Sequence, residues 1–190
     1  MKKIKTQFPL MVISAPSGTG KTTVVKKLLK INKALKRVIT HTTREKRTGE
    51  KNKRDYYFVS KKKFLSEKKA GHFVEWAKVY QNHYGTSKKE IERIKKLGKV
   101  PVLVIEEQGA RQVKKIFEDV LFVCLLPPSL KELKKRMMGR NTENAASLKL
   151  RFQSAQKEIK AMKWYDHFVV NKKLTTTVKQ LNRLIQKNFS

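Results

Sequence analysis

Apolar positions along the chain fall into short continuous runs separated by amphipathic stretches, and the two kinds of segment alternate. An apolar run over 9–13 has the length of a buried strand. It breaks into the small-residue turn SAPSGTG, and Lys21, Thr22 and Thr23 then open the helix VVKKLLKI. A second strand is predicted over 37–41 (RVITH). From Thr42 to Tyr84 the pattern changes to a turn region rich in Gly, Lys and Arg (TTREKRTGEKNKRD), followed by the β segment YYFVS, a short helix over 61–70 and a strand over 72–79. Alternation resumes with a helix over 88–97, the strand PVLVI over 101–105, a helix over 110–117 and a strand over 120–126. Pro127-Pro128-Ser129 ends that strand, and Ser129 is placed to cap the helix LKELKKRMM. The segment over 139–147 (GRNTENAAS) has little apolar content and reads as a mobile cover. A helix over 148–163, a strand over 167–170 and an amphipathic helix over 176–187 complete the chain. Strand–helix alternation predicts an α/β protein with a mostly parallel sheet, and the local β pairing in the middle predicts a small inserted subdomain.

Length and composition narrow this picture without naming a function. A chain of 190 residues suits one domain and is long enough to bury roughly 70% of its unfolded surface. No run of 18 or more apolar residues occurs, so a transmembrane helix is not expected. The N-terminal apolar run leads straight into the turn above and reads as a strand, not a leader peptide. The single Cys124 lies in the apolar run LFVCLL, where a buried, inert thiol and a cytoplasmic setting are expected. The four histidines show no metal-ligand spacing.

Charge is the unusual quantity. Lys and Arg total 46 against 15 Asp and Glu, a formal net charge of +31, and the basic residues are spread along the whole chain. Such a surface draws in phosphorylated ligands and binds polyanions non-specifically. Lysine-rich solvated helix faces are the simpler explanation, and charge alone does not identify a partner.

The first junction is the strongest chemical signal. Strand, tight turn and helix with Gly20-Lys21-Thr22 at the junction is the context of a phosphate-binding loop running from Ala15 through Pro16, Ser17, Gly18 and Thr19 to Thr23. Gly18 and Gly20 let backbone N–H groups converge on a phosphate, and the helix N-terminus adds partial positive charge. Lys21 would reach the β- and γ-phosphates and Thr22 would hold Mg²⁺ alongside a bound nucleotide. Ala15 stands where the general pattern has its first glycine.

Five stretches taken together, SAPSGTGKTT, THTTREKRTGE…RDYYFVS, FVEWAKVYQNHYGTS, EEQGA and PPSLKELKKRMMGR…LKLRF, resemble the guanylate kinase family in order over nearly the whole chain. The resemblance implies transfer of the γ-phosphoryl of ATP to GMP with Mg²⁺, within purine nucleotide metabolism; whether deoxy-GMP also serves stays open. It implies a three-layer phosphate-loop core (1–43, 88–138 and 151–190), a mixed β GMP-binding insert (44–87) and a lid (139–150). Glu75 is similar to the family's guanine-reading acid, and Thr40 and Thr86 to hydroxyl positions on the guanine O6/N7 side. Arg44, Arg47, Tyr56 and Tyr84 match positions that bind the GMP phosphate. Arg136, Arg140 and Arg151 match catalytic and lid arginines, and Asn171 a position near the adenine ring of ATP.

The chemistry of guanine fits that assignment, since its N1–H and N2 amine are adjacent donors that one carboxylate can accept. Guanidinium forks likewise match phosphate oxygens. A competing role for Glu75 is a surface carboxylate paired with nearby lysines. The chain also departs from the family pattern. Val104-Ile105-Glu106 carries only the second of two expected acids, as Glu in place of Asp. Glu107, Gln81, His83, Asn141, Lys46 and Thr48 are further departures. Two other functional classes stay open. One is a non-catalytic peptide-binding relative, which would typically lack Lys21, Arg140 and Arg151. The other is a nucleic-acid binder, whose affinity would collapse with salt.

Overall fold

A computed structural model describes residues 9–138 and 145–189, with the side chains of 145–147 excepted. In chain order its elements are β1 (Leu10–Ser14), α1 (Lys21–Ile31), β2 (Leu35–Arg37), β3 (His41–Thr42), β4 (Tyr57–Phe58), α2 (Lys61–Lys69), β5 (Phe73–Val79) and β6 (Asn82–Ser87). They continue with α3 (Lys88–Lys95), β7 (Val100–Val104), α4 (Glu107–Ile116), β8 (Val120–Leu126), α5 (Leu130–Met138), α6 (Ala145–Ala161), β9 (His167–Val170) and α7 (Leu174–Phe189). No helix among the described residues is long and apolar enough to cross a membrane.

Two sheets organise these elements. The larger has the strand order β2-β7-β1-β8-β9, with β2–β7 and β8–β9 paired in parallel. All five residues of β1 are buried, as are Leu121–Leu125 of β8, which explains why both strands read as unbroken apolar runs. The smaller sheet, β4-β3-β6-β5, is mixed: β3 runs parallel to β4, and β6 runs antiparallel to both β3 and β5.

The chain forms two compact units. One takes the described chain up to Met11 together with Ala34–Val120, and the other takes Val12–Lys33 with Leu121 onward. In the first, α4 packs on β5 and α3 on β7. In the second, α1 packs on α7 and α5 on α6. The buried positions of α1 are Val24, Val25 and Leu28, and those of α7 are Thr177, Val178, Leu181 and Ile185, the spacing of one helical face in each. Hydroxyl caps fix the starts of three helices: Ser60 accepts from Lys63 N, Ser87 from Glu90 N, and Ser129 from Glu132 N at 3.1 Å.

The structure corrects the sequence-based elements in two places. The single strand expected over 37–41 is divided between the sheets. Val38 N still bonds Val102 O at 2.9 Å, continuing β2 beside β7, whereas Thr40 O accepts from Tyr57 N at 3.0 Å in the smaller sheet. Residues 82–87, given no element of their own, form β6, the central partner of β3 and β5. The hairpin joining β5 to β6 turns through Tyr80, which holds a left-handed backbone (φ 54°).

Candidate functional site

The candidate phosphate loop begins where β1 ends. Gly18 (φ 87°) and Gly20 (φ 93°) both adopt the left-handed backbone that only glycine takes without strain. Neither has room for a side chain: a Cβ on Gly18 would lie 2.9 Å from Met137 Cγ, and one on Gly20 2.9 Å from Asn171 Nδ2. Gly20 occupies the cap position of α1 and supplies no side-chain cap, so the amides of the first turn are left for a ligand. The Thr19 hydroxyl is buried without a hydrogen-bond partner. Thr22 and Thr23 are exposed on the first turn, and Lys21 is half-buried.

Three expected residues brace this loop from behind. Asn171 Nδ2 donates to Thr19 O at 2.7 Å, and its Oδ1 accepts from Thr177 Oγ1 at 3.1 Å. Arg136 Nη1 donates to Asn171 O (3.2 Å) and to Thr19 O (3.4 Å), while its Nε bonds Glu132. Arg151 Nη2 donates to Ser17 Oγ at 2.7 Å, which brings a guanidinium to the loop itself. Arg140 and residues 139–144 of the expected lid lie outside the described residues. Cys124 is buried, and burial pushes its thiol up to about 12 against the opposing charge of Lys21, so it is chemically inert.

The other group of expected residues gathers on the smaller sheet. A bulge between Phe73 and Glu75 puts Glu75 directly opposite Thr86, so both side chains share one face. Thr86 Oγ1 donates to Glu75 Oε1 at 2.5 Å. Glu75 is only 2% exposed, and no lysine or arginine among the described residues pairs with it. The surface-carboxylate role weighed above is thereby excluded. Burial pushes its carboxyl up to about 7; the Thr86 hydrogen bonds work to lower it, and the Glu106 charge adds to the rise. Glu106 occupies the N-cap position of α4 without a side-chain capping bond, and Thr40 is buried where the chain enters the smaller sheet.

Arginine and tyrosine side chains cluster beside this carboxylate's sheet. Arg44 Nη2 bonds both oxygens of Glu50, at 2.8 and 3.0 Å, and its guanidinium lies 5.5 Å from the Tyr56 ring. Tyr56 and Tyr84 meet edge to face at 6.2 Å. Burial works to raise the Glu50 carboxyl, but hydrogen bonds from Arg44 and the Arg47 amide outweigh it and hold the group below its ordinary value. The Arg47 side chain is exposed. Sequence reasoning missed Arg37, which lies 5.3 Å from the Tyr56 ring and donates to Asp55 O at 3.2 Å. It also missed Glu50 as the partner of Arg44, although Glu50 ends the quoted stretch RTGE.

Comparison with known proteins decides the family. The guanylate kinase family model matches residues 7–188. The chain belongs to the guanylate kinase family. It is 44% identical over 176 residues to the guanylate kinase of Clostridioides difficile strain 630, covering 93% of this chain and 86% of that one. It is 38% identical over 192 residues to the guanylate kinase of Rickettsia prowazekii strain Madrid E, covering 99% and 98%. The crystal structure of guanylate kinase from Anaplasma phagocytophilum superimposes with a TM-score of 0.79 at 30% identity, over 96% of this chain and 86% of that one. Membership of the guanylate kinase family makes the chain a nucleoside monophosphate kinase, a transferase. The fold agrees with the expected α/β architecture of that family, with a parallel sheet and a second, smaller mixed sheet.

Proposed function

We propose that the chain transfers the γ-phosphoryl group of ATP to GMP, giving ADP and GDP. The observation that carries this reading is Glu75: a carboxylate buried at 2% exposure, opposite Thr86 and unpaired by any described cation. An unpaired buried carboxylate is costly, and a ligand with two adjacent donors relieves that cost. Guanine's N1–H and N2 amine have that geometry, whereas adenine presents an acceptor and a C–H there. Thr40, Thr86 and Glu106 would border the base, while Arg44, Arg47, Tyr56 and Tyr84 would hold the GMP phosphate. Arg44 would exchange part of its pairing with Glu50 for phosphate oxygens, a similar bidentate geometry.

ATP would place its phosphates in the loop from Ala15 to Thr23, with Lys21 on the β- and γ-groups and Asn171 toward the adenine. A phosphate oxygen of GMP attacks the γ-phosphorus while the bond to the β-phosphate oxygen breaks, and charge spreads over the equatorial oxygens. Lys21, Arg136, Arg140 and Arg151 supply the opposing charge. Arg136 would act chiefly by fixing the Thr19 carbonyl, and Arg151 by reaching from Ser17 onto phosphate. The residues fit Mg²⁺ arriving with the nucleotide. Thr22 offers an exposed hydroxyl at the loop, and no cluster of three His, Cys, Asp or Glu among the described residues offers a complete shell of its own. When bound, the ion neutralises charge on the β- and γ-phosphate oxygens.

The working parts of this reading are a core (1–43, 88–138, 151–190), a GMP-binding insert (44–87) and a lid (139–150). Its setting is the cytoplasm, and its net charge of +31 would add weak, salt-sensitive attraction for polyanions. Steady-state kinetics and a melting curve of Glu75→Gln test the reading. The amide can accept from only one guanine donor, so kcat/KM for GMP should fall by at least ~10²-fold with the fold retained. Unchanged GMP kinetics with a lowered melting point would mean that Glu75 is structural.

A further inference from the structure

Glu75 is held by more than its neighbour across the sheet. Strand β5 is an edge of the smaller sheet, so the outward N–H and C=O groups of its residues have no strand to pair with. At Trp76, the residue after Glu75, a side chain takes the place of that strand. Trp76 N donates to Gln112 Oε1 at 3.2 Å, and Gln112 Nε2 donates to Trp76 O at 2.6 Å. One carboxamide thus completes both backbone groups, as an adjacent strand would. Gln112 Nε2 also lies 3.2 Å from Gln108 O, which ties the amide back to its own helix.

Three residues earlier on the same face of α4 is Gly109. A Cβ there would overlap Glu75 Oε2 and lie 3.0 Å from Glu75 Cδ. The helix backbone therefore forms the wall against which the carboxylate rests, and only hydrogen fits between them. Glu106, whose charge acts on Glu75, stands at the N-cap position of this same helix. All of these contacts lie within the unit containing Ala34–Val120.

We propose that α4 is the positioning element for guanine recognition: Gly109 sets how far the Glu75 carboxylate can retract, and Gln112 fixes the β5 backbone that carries it. This rests on Glu75 reading guanine. Gly109 and Gln112 are positioning residues that touch no substrate. The two act at different points, one on the carboxylate and one on the main chain, so either substitution alone should misplace the acceptor oxygens. A small misplacement at a recognition group lowers rates by up to about 10²-fold.

The test compares GMP with IMP, which keeps N1–H and lacks the 2-amino group, in the purified full chain. Wild type, Gly109→Ala, Gln112→Met and Glu75→Gln are assayed for kcat and KM with each acceptor and for KM with ATP. Gln112→Met keeps the side-chain length while removing both hydrogen bonds to Trp76 and the one to Gln108, and it serves where Gly109→Ala fails to fold. The expected result is a 10- to 100-fold rise in the KM for GMP in either variant, an unchanged KM for ATP, and a preference for GMP over IMP that collapses toward that of Glu75→Gln. A purely structural role would lower the melting temperature and leave the GMP-to-IMP ratio at the wild-type value, and that result overturns the proposal. If Glu75→Gln itself keeps the wild-type ratio, the guanine reading of Glu75 fails and the proposal falls with it. If only Glu75→Gln loses the ratio, the reading stands and the role of α4 alone is wrong.

Discussion

At the scale of single residues, Glu75 shows how burial becomes a property that can be titrated. Its folded-state carboxyl sits at about 7 because burial disfavours the anion, with Glu106 adding to the effect against the Thr86 hydrogen bonds. The unfolded chain would release the same proton near 4.5. Between those values the folded state binds more protons than the unfolded one, so this group lowers stability as pH rises through the window. On the proposed role of Glu75, guanine's donors would favour the anion and link GMP binding to its ionisation, so affinity should strengthen as pH rises toward 7. The GMP phosphate titrates in the same range, which makes Glu75→Gln the necessary reference. Calorimetric titration from pH 5.5 to 7.5 should show GMP affinity rising on the order of tenfold more in wild type than in Glu75→Gln. Parallel pH profiles would mean that the carboxyl does not take part in binding.

At the scale of elements, the phosphate loop depends on helices far from it in sequence. Gly20 combines a left-handed backbone with a contact to the Asn171 side chain, and that side chain holds the Thr19 carbonyl. Gly20→Ala must therefore bear backbone strain and displace Asn171. The expected loss is about 1–3 kcal/mol of stability, read as a lowered melting temperature, with a raised KM for ATP and little change in the KM for GMP. An unchanged KM for ATP in the folded variant would show that the loop tolerates the displacement. Motifs made the loop legible in sequence, since strand, turn and helix are contiguous there. The braces from Arg136, Arg151 and Asn171 were legible only as positions matching the family. Their contacts with Ser17 and Thr19 span 117 to 152 residues, and no local pattern encodes them. Residues 37–41 show another limit. An apolar run that leaves one sheet for another looks like a single strand, because pairing partners are absent from the pattern. β6 was missed for the converse reason: its Gly and polar residues carry little strand propensity, and β3 and β5 supply what its own sequence does not. The quoted stretch EEQGA contains Gly109, but what Gly109 and Gln112 do is visible only in the surroundings of Glu75 and Trp76, more than thirty residues away.

At the scale of the molecule, the two units divide the candidate chemistry. The loop with Lys21, Arg136, Arg151 and Asn171 belongs to the unit built from Val12–Lys33 and the chain from Leu121 onward, and Glu75, Tyr56, Tyr84, Arg44 and Arg47 belong to Ala34–Val120. The net charge of +31 is spread over both and does not discriminate among nucleotides; on the proposed reading, the buried Glu75 carboxylate does. The most direct measurement is therefore ADP release, in a coupled assay with ATP and Mg²⁺, from the intact protein offered GMP, AMP, CMP and UMP in turn. Rapid release with GMP and little above background with the other three is the predicted result. Comparable release with AMP, or none with GMP, would contradict the assignment of Glu75 and the phosphate loop to one ATP:GMP phosphotransfer.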